Sequence, residues 1–346
     1  MLESELHHRI RLAAAEASNA AAAAGVVVVG PGDDCAVVAT PAASQLLTVD
    51  HLIEGRHFVG PFAPQAGAAA GTPLELIARK AIARSVSDIA AMAGRPAWAL
   101  ATAAFPAGTP QAAADELCDW LFRWATTFGC PLVGGDVAAF SASQTPLVLT
   151  VTVGGTPHEG RGPVLRSTAK PGDAVYITGP MGNSLASGRH LTFTPRTREA
   201  AVLASVLGTG LHAMMDLSDG LGRDGARIAR ASNVRLILDP SSFPINADVP
   251  QVRGHDAAAG GFGGHPHSRA LAAASDGEDY ELLLTAPPLS TAETAALIAA
   301  GVVLHRIGEV ESAGPGTPAG CFVVTTGSSD SPERLVSFDS CGFEHA

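Results

Sequence analysis

A chain of 346 residues with 47% hydrophobic side chains is long enough for two domains, each with a real core. The formal charge of −11 disfavours nucleic acid and anionic membranes as partners, since both reward a basic face. Lys80 and Lys170 are the only lysines, and neither stands in a Gly-x-x-x-x-Gly-Lys-Ser/Thr motif or behind a kinase-type glycine loop, so both of those solutions to phosphate binding are absent.

Residues 3–24 read as an alanine-rich helix, followed by a valine strand between Gly25 and Gly30 that runs into Gly32-Asp33-Asp34. Gln45–Asp50 reads as a second strand with an acid at its end. Residues 72–93 form the clearest helix: Thr72 is the expected N-cap, Pro73 lies in the first turn, Glu75 completes a capping box and Gly94 marks the stop. Asp88 falls in its last turns, four residues after Arg84. Strands are expected at Ala97–Phe105, Pro131–Val133 (ending in Gly134-Gly135-Asp136) and Leu147–Gly154, with a helix at 110–128. The first half is therefore α/β.

Turn formers crowd residues 155–172, placing a domain boundary near 160: 1–160 is the expected N-terminal domain and 161–346 the C-terminal one. Beyond it come a strand at Ala174–Thr178, the glycine turn Gly179 to Ser184, helices near 197–207, 219–232 and 290–300, and strands at 234–238 and 280–285. The segment Pro250–Arg269, with His255, His265 and His267, reads as a solvated Gly/His-rich loop. Cys35, Cys118, Cys130, Cys321 and Cys341 are odd in number and scattered without Cys-x-x-Cys, which argues for reduced thiols and against a zinc knuckle. The acidic N-terminus and the lack of an apolar stretch of about 18 residues point to a cytoplasmic protein.

Six segments share one feature, an aspartate at the end of an apolar run or on a helix: Asp33-Asp34, Asp50, Asp88, Asp136, Asp216-Leu-Ser-Asp219 and Glu278-Asp279. Singly each has a plainer reading, as turn residues, an N-cap, or an Arg84–Asp88 surface pair. Jointly, many carboxylates with almost no lysine can hold a polyphosphate only through divalent cations. A magnesium nucleotide is the expected ligand.

The order and context of these segments resemble one family. Gly30-Pro-Gly-Asp-Asp34, Asp50-His-Leu-Ile-Glu-Gly-Arg-His-Phe58, Ser87-Asp-Ile-Ala-Ala-Met-Ala-Gly-Arg-Pro96, Gly134-Gly-Asp136, Arg166-Ser-Thr-Ala-Lys-Pro-Gly-Asp173, Asp216-Leu-Ser-Asp-Gly-Leu221, Gly277-Glu-Asp-Tyr-Glu-Leu282 and Gly342-Phe-Glu-His345 resemble thiamine-monophosphate kinases. The resemblance runs from about residue 28 to the C-terminus. It implies an α/β (α+β) fold like that of aminoimidazole ribonucleotide synthetase, with a dimer-forming N-terminal sheet domain. It also implies ATP-dependent, magnesium-requiring phosphorylation of thiamine monophosphate to thiamine diphosphate.

Residue by residue, the resemblance implies magnesium ligands at Asp33, Asp50, Asp88, Asp136, Asp216 and Asp219, and nucleotide contacts at Gly135, Asp136, Arg166 and Ser218. It implies substrate contacts at His57, Glu278 and Phe343, with Asp88, Asp136, Asp216 and Arg166 carrying the catalytic work. The chain departs from the family pattern at Val49, Ser85, Asp276, Val137, Ala138 and Asn183, none of which removes a core carboxylate. Alternatives are another small-molecule-activating ATP enzyme of the same superfamily, or a nucleotide-binding sensor that has lost catalysis.

Overall fold

The computed structural model describes residues 27–30, 32–40, 44–61, 71–142, 145–251, 266–325 and 334–342. The expected helix at 3–24, His255, His265 and Phe343 lie outside these residues.

Two sheets follow one another along the chain, giving a mixed α/β fold. The first contains β1 (Val27–Val29), β2 (Ala36–Ala39), β3 (Ser44–Ile53), β4 (Gly94–Phe105), β5 (Leu132–Ala139) and β6 (Val148–Pro157), in the order β1-β2-β3-β6-β4-β5. All neighbours are antiparallel except β4 and β5, the edge pair, which are joined through a helix as a parallel connection requires. The second sheet contains β7 (Ala174–Ile177), β8 (Ala213–Asp216), β9 (Val234–Leu238), β10 (Leu282–Ala286), β11 (His305–Ser312), β12 (Gly320–Thr325) and β13 (Arg334–Ser337). Its order is β13-β12-β9-β11-β7-β10-β8, antiparallel except for β9 and β12.

Helix α1 (Leu74–Ala91) joins the two halves. It carries no internal glycine or proline, and almost every face is buried. Ile77, Ile82, Val86 and Ile89 enter the core of the first sheet, whereas Ala90 and Ala91 enter a cluster with Leu203, Leu282 and Leu284 of the second half. Helix α2 (Gln111–Thr127) packs beside α1 through Leu117, Leu121 and Ala125. In the second half the helices are α3 (Ser184–Ser187), α4 (Arg189–Thr192), α5 (Thr197–Leu207), α6 (Leu221–Ser232), α7 (Ser268–Ser275) and α8 (Thr291–Ala299).

Several local expectations change. The capping box at Thr72 and Glu75 does not form: α1 starts one residue later than expected, Pro73 is its N-cap, and no side chain caps it. Thr72 instead donates its N–H to the Val59 carbonyl at 2.9 Å. At the other end the turn is made by Ala93, left-handed at φ 55°, and Gly94 already belongs to β4, where a Cβ would strike Leu46 and Ile89. Asp50 and Asp136 do not end their strands. Both sit in mid-strand, because β3 continues to Ile53 and β5 runs through the two glycines to Ala139. At Gly135 a Cβ would collide with the Ala101 carbonyl of β4, so the absence of a side chain is what allows this close pairing.

Candidate active site

Three carboxylates converge between the sheets. Asp34 comes from the loop after β1, Asp88 from the last turns of α1, and Asp216 from the end of β8; one oxygen of each lies within 4.8 Å of the others. Each arrives for a local reason. On β3 alternate residues face α1, so Thr48 meets Asp88 with its hydroxyl donating at 2.5 Å, while Val49 points away and is exposed. Asp88 and its neighbour Ser87 project from a helix buried on both sides, and the Ser87 hydroxyl crosses to the second half to donate to Asp216 Oδ2 at 2.6 Å.

Burial and mutual repulsion dominate the electrostatics. The carboxyls of Asp88 and Asp216 are pushed well above the usual range, first by burial and then by neighbouring carboxylates, with the Thr48 and Ser87 hydroxyls acting in the opposite direction. Asp33 is raised to about 6 by burial and by Asp34, against the pull of Arg166. Buried hard-oxygen ligands that repel one another match a small divalent cation, which would relieve that repulsion.

Arg166 is turned onto this cluster. Its Nε and Nη2 donate to Asp34 at 2.9 and 2.5 Å, and its backbone N–H donates to Asp33 Oδ2 at 3.0 Å. Asp50 lies on β3 two residues beyond Thr48, 3.1 Å from the Ser85 hydroxyl and 3.8 Å from Arg84. Arg84 therefore pairs with Asp50, and the plainer reading of Asp88, a surface pair with Arg84, does not hold. Asp219 pairs with Arg227, which also binds the fully buried Asp224 at 2.6 Å. Ser218 is half-buried, and its carbonyl accepts the Glu278 N–H at 2.8 Å. Asp136 and Gly135 lie on exposed edge strand β5, outside the three-carboxylate cluster.

His57 and Glu278, from opposite halves, are brought together by Lys80. The Lys80 ammonium, with no exposed surface, donates to the His57 carbonyl at 2.8 Å and to Glu278, and lies 2.7 Å from His190 Nδ1. Burial alone would raise Glu278; the hydrogen bond from His190 and the charges of Lys80 and Arg84 outweigh it and hold the carboxyl at about 2. Burial, aided by Arg84, lowers His57 to about 3, so its imidazole is neutral, and its Nδ1 accepts the Ile53 N–H at 2.9 Å.

Sequence reasoning missed three participants: Asp34, preferred less than its neighbour; Ser87; and Lys80. Lys80, Arg84 and Asp88 recur at i, i+4 and i+8 on one helix, a spacing that marks one charged face on an otherwise apolar helix. Nothing in Gly-Asp-Asp says which of two adjacent acids turns inward.

The chain is similar in sequence and fold to known proteins. The N-terminal-domain model of AIR synthase related proteins matches residues 32–156. A thiamine-monophosphate kinase of Rhodopirellula baltica is 33% identical over 293 residues, covering 82% of this chain and 83% of that protein. The Escherichia coli K12 thiamine-monophosphate kinase is 30% identical over 339 residues, covering 92% and 91%. A solved structure described as AaThiL complexed with AMPPCP and TMP superposes with a TM-score of 0.66 at 25% identity, covering 91% of each chain.

Proposed function

The chain belongs to the thiamine-monophosphate kinase family, and from that premise we propose that it transfers the terminal phosphoryl group of ATP to the phosphate of thiamine monophosphate, yielding ADP and thiamine diphosphate. The observation that carries this reading is the convergence of Asp34, Asp88 and Asp216 from both halves of the chain.

These three carboxylates are the residues that would hold magnesium, with Asp33, Asp50, Asp136 and Asp219 as further ligands recruited around it. Bound magnesium would screen the repulsion between two anionic substrates and neutralise charge on the transferring group. The chain's own groups supply orientation. Thr48 and Ser87 fix the Asp88 and Asp216 carboxylates by hydrogen bonds. Arg166, tied to Asp34, would be the planar cation to fork onto phosphate oxygens beside the metal that Asp34 would hold. Gly135, Asp136 and Ser218 are assigned to the nucleotide, and His57, Glu278 and Phe343 to the acceptor. The acceptor is already an ionised phosphate, so no strong base is needed, in keeping with a neutral His57 that can hydrogen-bond but not carry charge.

The chain divides at residues 160 and 161, one sheet to each part. A homodimer forms through the first sheet, where Val133 and Val137 on edge strand β5 and Val49 on β3 are each at least 60% exposed. The enzyme is assigned to the cytoplasm; no helix among the described residues is long and apolar enough to cross a membrane. ADP release measured with ATP and magnesium, with and without thiamine monophosphate, tests the activity. Release that depends saturably on thiamine monophosphate is expected; nucleotide binding without acceptor-dependent turnover would leave the sensor alternative standing.

A further inference from the structure

Between α7 and β10 the chain adopts a strained turn for which local sequence offers no excuse. Glu278 and Tyr280 are both left-handed, at φ 66° and 55°, a conformation that is costly for a residue other than glycine. Backbone bonds hold it: the N–H groups of Glu278 and Tyr280 donate to the Ser218 and Leu217 carbonyls, and that of Leu217 to the Glu281 carbonyl, all at 2.8 Å. The turn is thereby fastened to the loop that carries Asp216.

The strain seats Tyr280 in the interior. It is 2% exposed, its ring is stacked on half-buried Phe193 at 3.9 Å and 11°, and yet its hydroxyl has no hydrogen-bond partner among the described residues. A phenylalanine would pack the same space without leaving a buried polar group unpaired. The charged groups acting on this phenol, after burial itself, are Arg84, Glu278, Asp50 and Asp216. The turn that carries it touches both parts of the site: Glu278 within it accepts a hydrogen bond from Lys80, and its backbone is tied to Leu217 and Ser218 beside Asp216. In a site rich in carboxylates, a neutral O–H donor can meet an anionic oxygen without adding repulsion.

We propose, resting on the kinase reading above, that the Tyr280 hydroxyl donates a hydrogen bond to an oxygen of the acceptor's phosphate group, so that the strained turn positions a specificity-determining contact for a phosphorylated acceptor. A hydrogen bond to a charged group lost equally from ground and transition states raises the Michaelis constant and spares turnover.

Tyr280→Phe should raise KM for thiamine monophosphate by about tenfold or more, leave KM for ATP and kcat nearly unchanged, and keep or raise the melting temperature without ligand. Thermal-shift titration with thiamine, which lacks the phosphate, should be the same for variant and parent. An unchanged KM for thiamine monophosphate, an equal rise for ATP, a lost response to thiamine, or a lower melting temperature would each overturn the assignment. A parent enzyme with no acceptor-dependent ADP release would instead remove the kinase reading itself.

Discussion

Asp88 shows how one side chain can be costly to the fold and necessary to the site. Buried beside Asp50, Asp216 and Asp34, and held by Thr48, its carboxyl resists ionisation in the absence of a cation. Replacing it with Asn keeps the shape and removes the charge. Asp88→Asn should therefore raise the melting temperature of the metal-free protein by a few degrees at pH 8 while lowering turnover by at least about a hundredfold, the usual scale for losing electrostatic stabilisation of a transition state. Calorimetry and steady-state ADP release check the two halves. A surface acid would show neither effect.

Lys80 is the opposite case, a charge whose partners all lie inside the protein. Removing it by Lys80→Met strands Glu278 in a buried position, which typically costs about 3–5 kcal/mol; adding Glu278→Gln should restore a large part of that in a double-mutant cycle read by denaturant unfolding. The same pair sets an acid limit. Glu278 titrates at about 2 in the fold, below its ordinary 4.5, so its contribution is complete above about pH 4.5 and fades as pH falls toward 2. Lys80→Met with Glu278→Gln should flatten the stability curve across that window.

At the scale of elements, α1 decides what can be read from the sequence. Its span was legible to within two residues because a run free of glycine and proline, bounded by Pro73 and Gly94, leaves few options. Its role was not: burial on two sides, with Ser87 reaching Asp216 and Asp88 reaching Thr48, depends on how two sheets pack, and no local pattern records that. Most strands were found where valine and leucine cluster, whereas β2, β8, β11, β12 and β13 went unannounced; His305–Ser312, for one, alternates charge with short apolar residues and reads as a polar linker. The site divides the same way. The acid-bearing segments were visible, but the choice of Asp34 over Asp33 and the left-handed backbone of Glu278 and Tyr280 arise from contacts distant in sequence.

The whole molecule carries an excess of acid that the fold concentrates inside. Asp33 is raised to about 6, and Asp224 and Asp279 to about 7, burial being the largest cause in each case. A folded pKa above the ordinary 3.8 means that the folded state binds more protons than the unfolded one between those values. The stabilising contribution is then complete below about pH 4 and is lost as pH rises through 6 to 7. Each unit of difference corresponds to about 1.4 kcal/mol, more than a typical surface ion pair returns. Without divalent cations the melting temperature should therefore fall between pH 5.5 and pH 8. Magnesium competes with protons at Asp33 and at the raised Asp88 and Asp216 of the cluster, so it should raise the melting temperature by more at pH 8 than at pH 5.5, through preferential binding to the folded state. A thermal-shift series in magnesium at the two pH values reads this directly. Equal shifts at both would mean that the cation does not bind where the buried acids are.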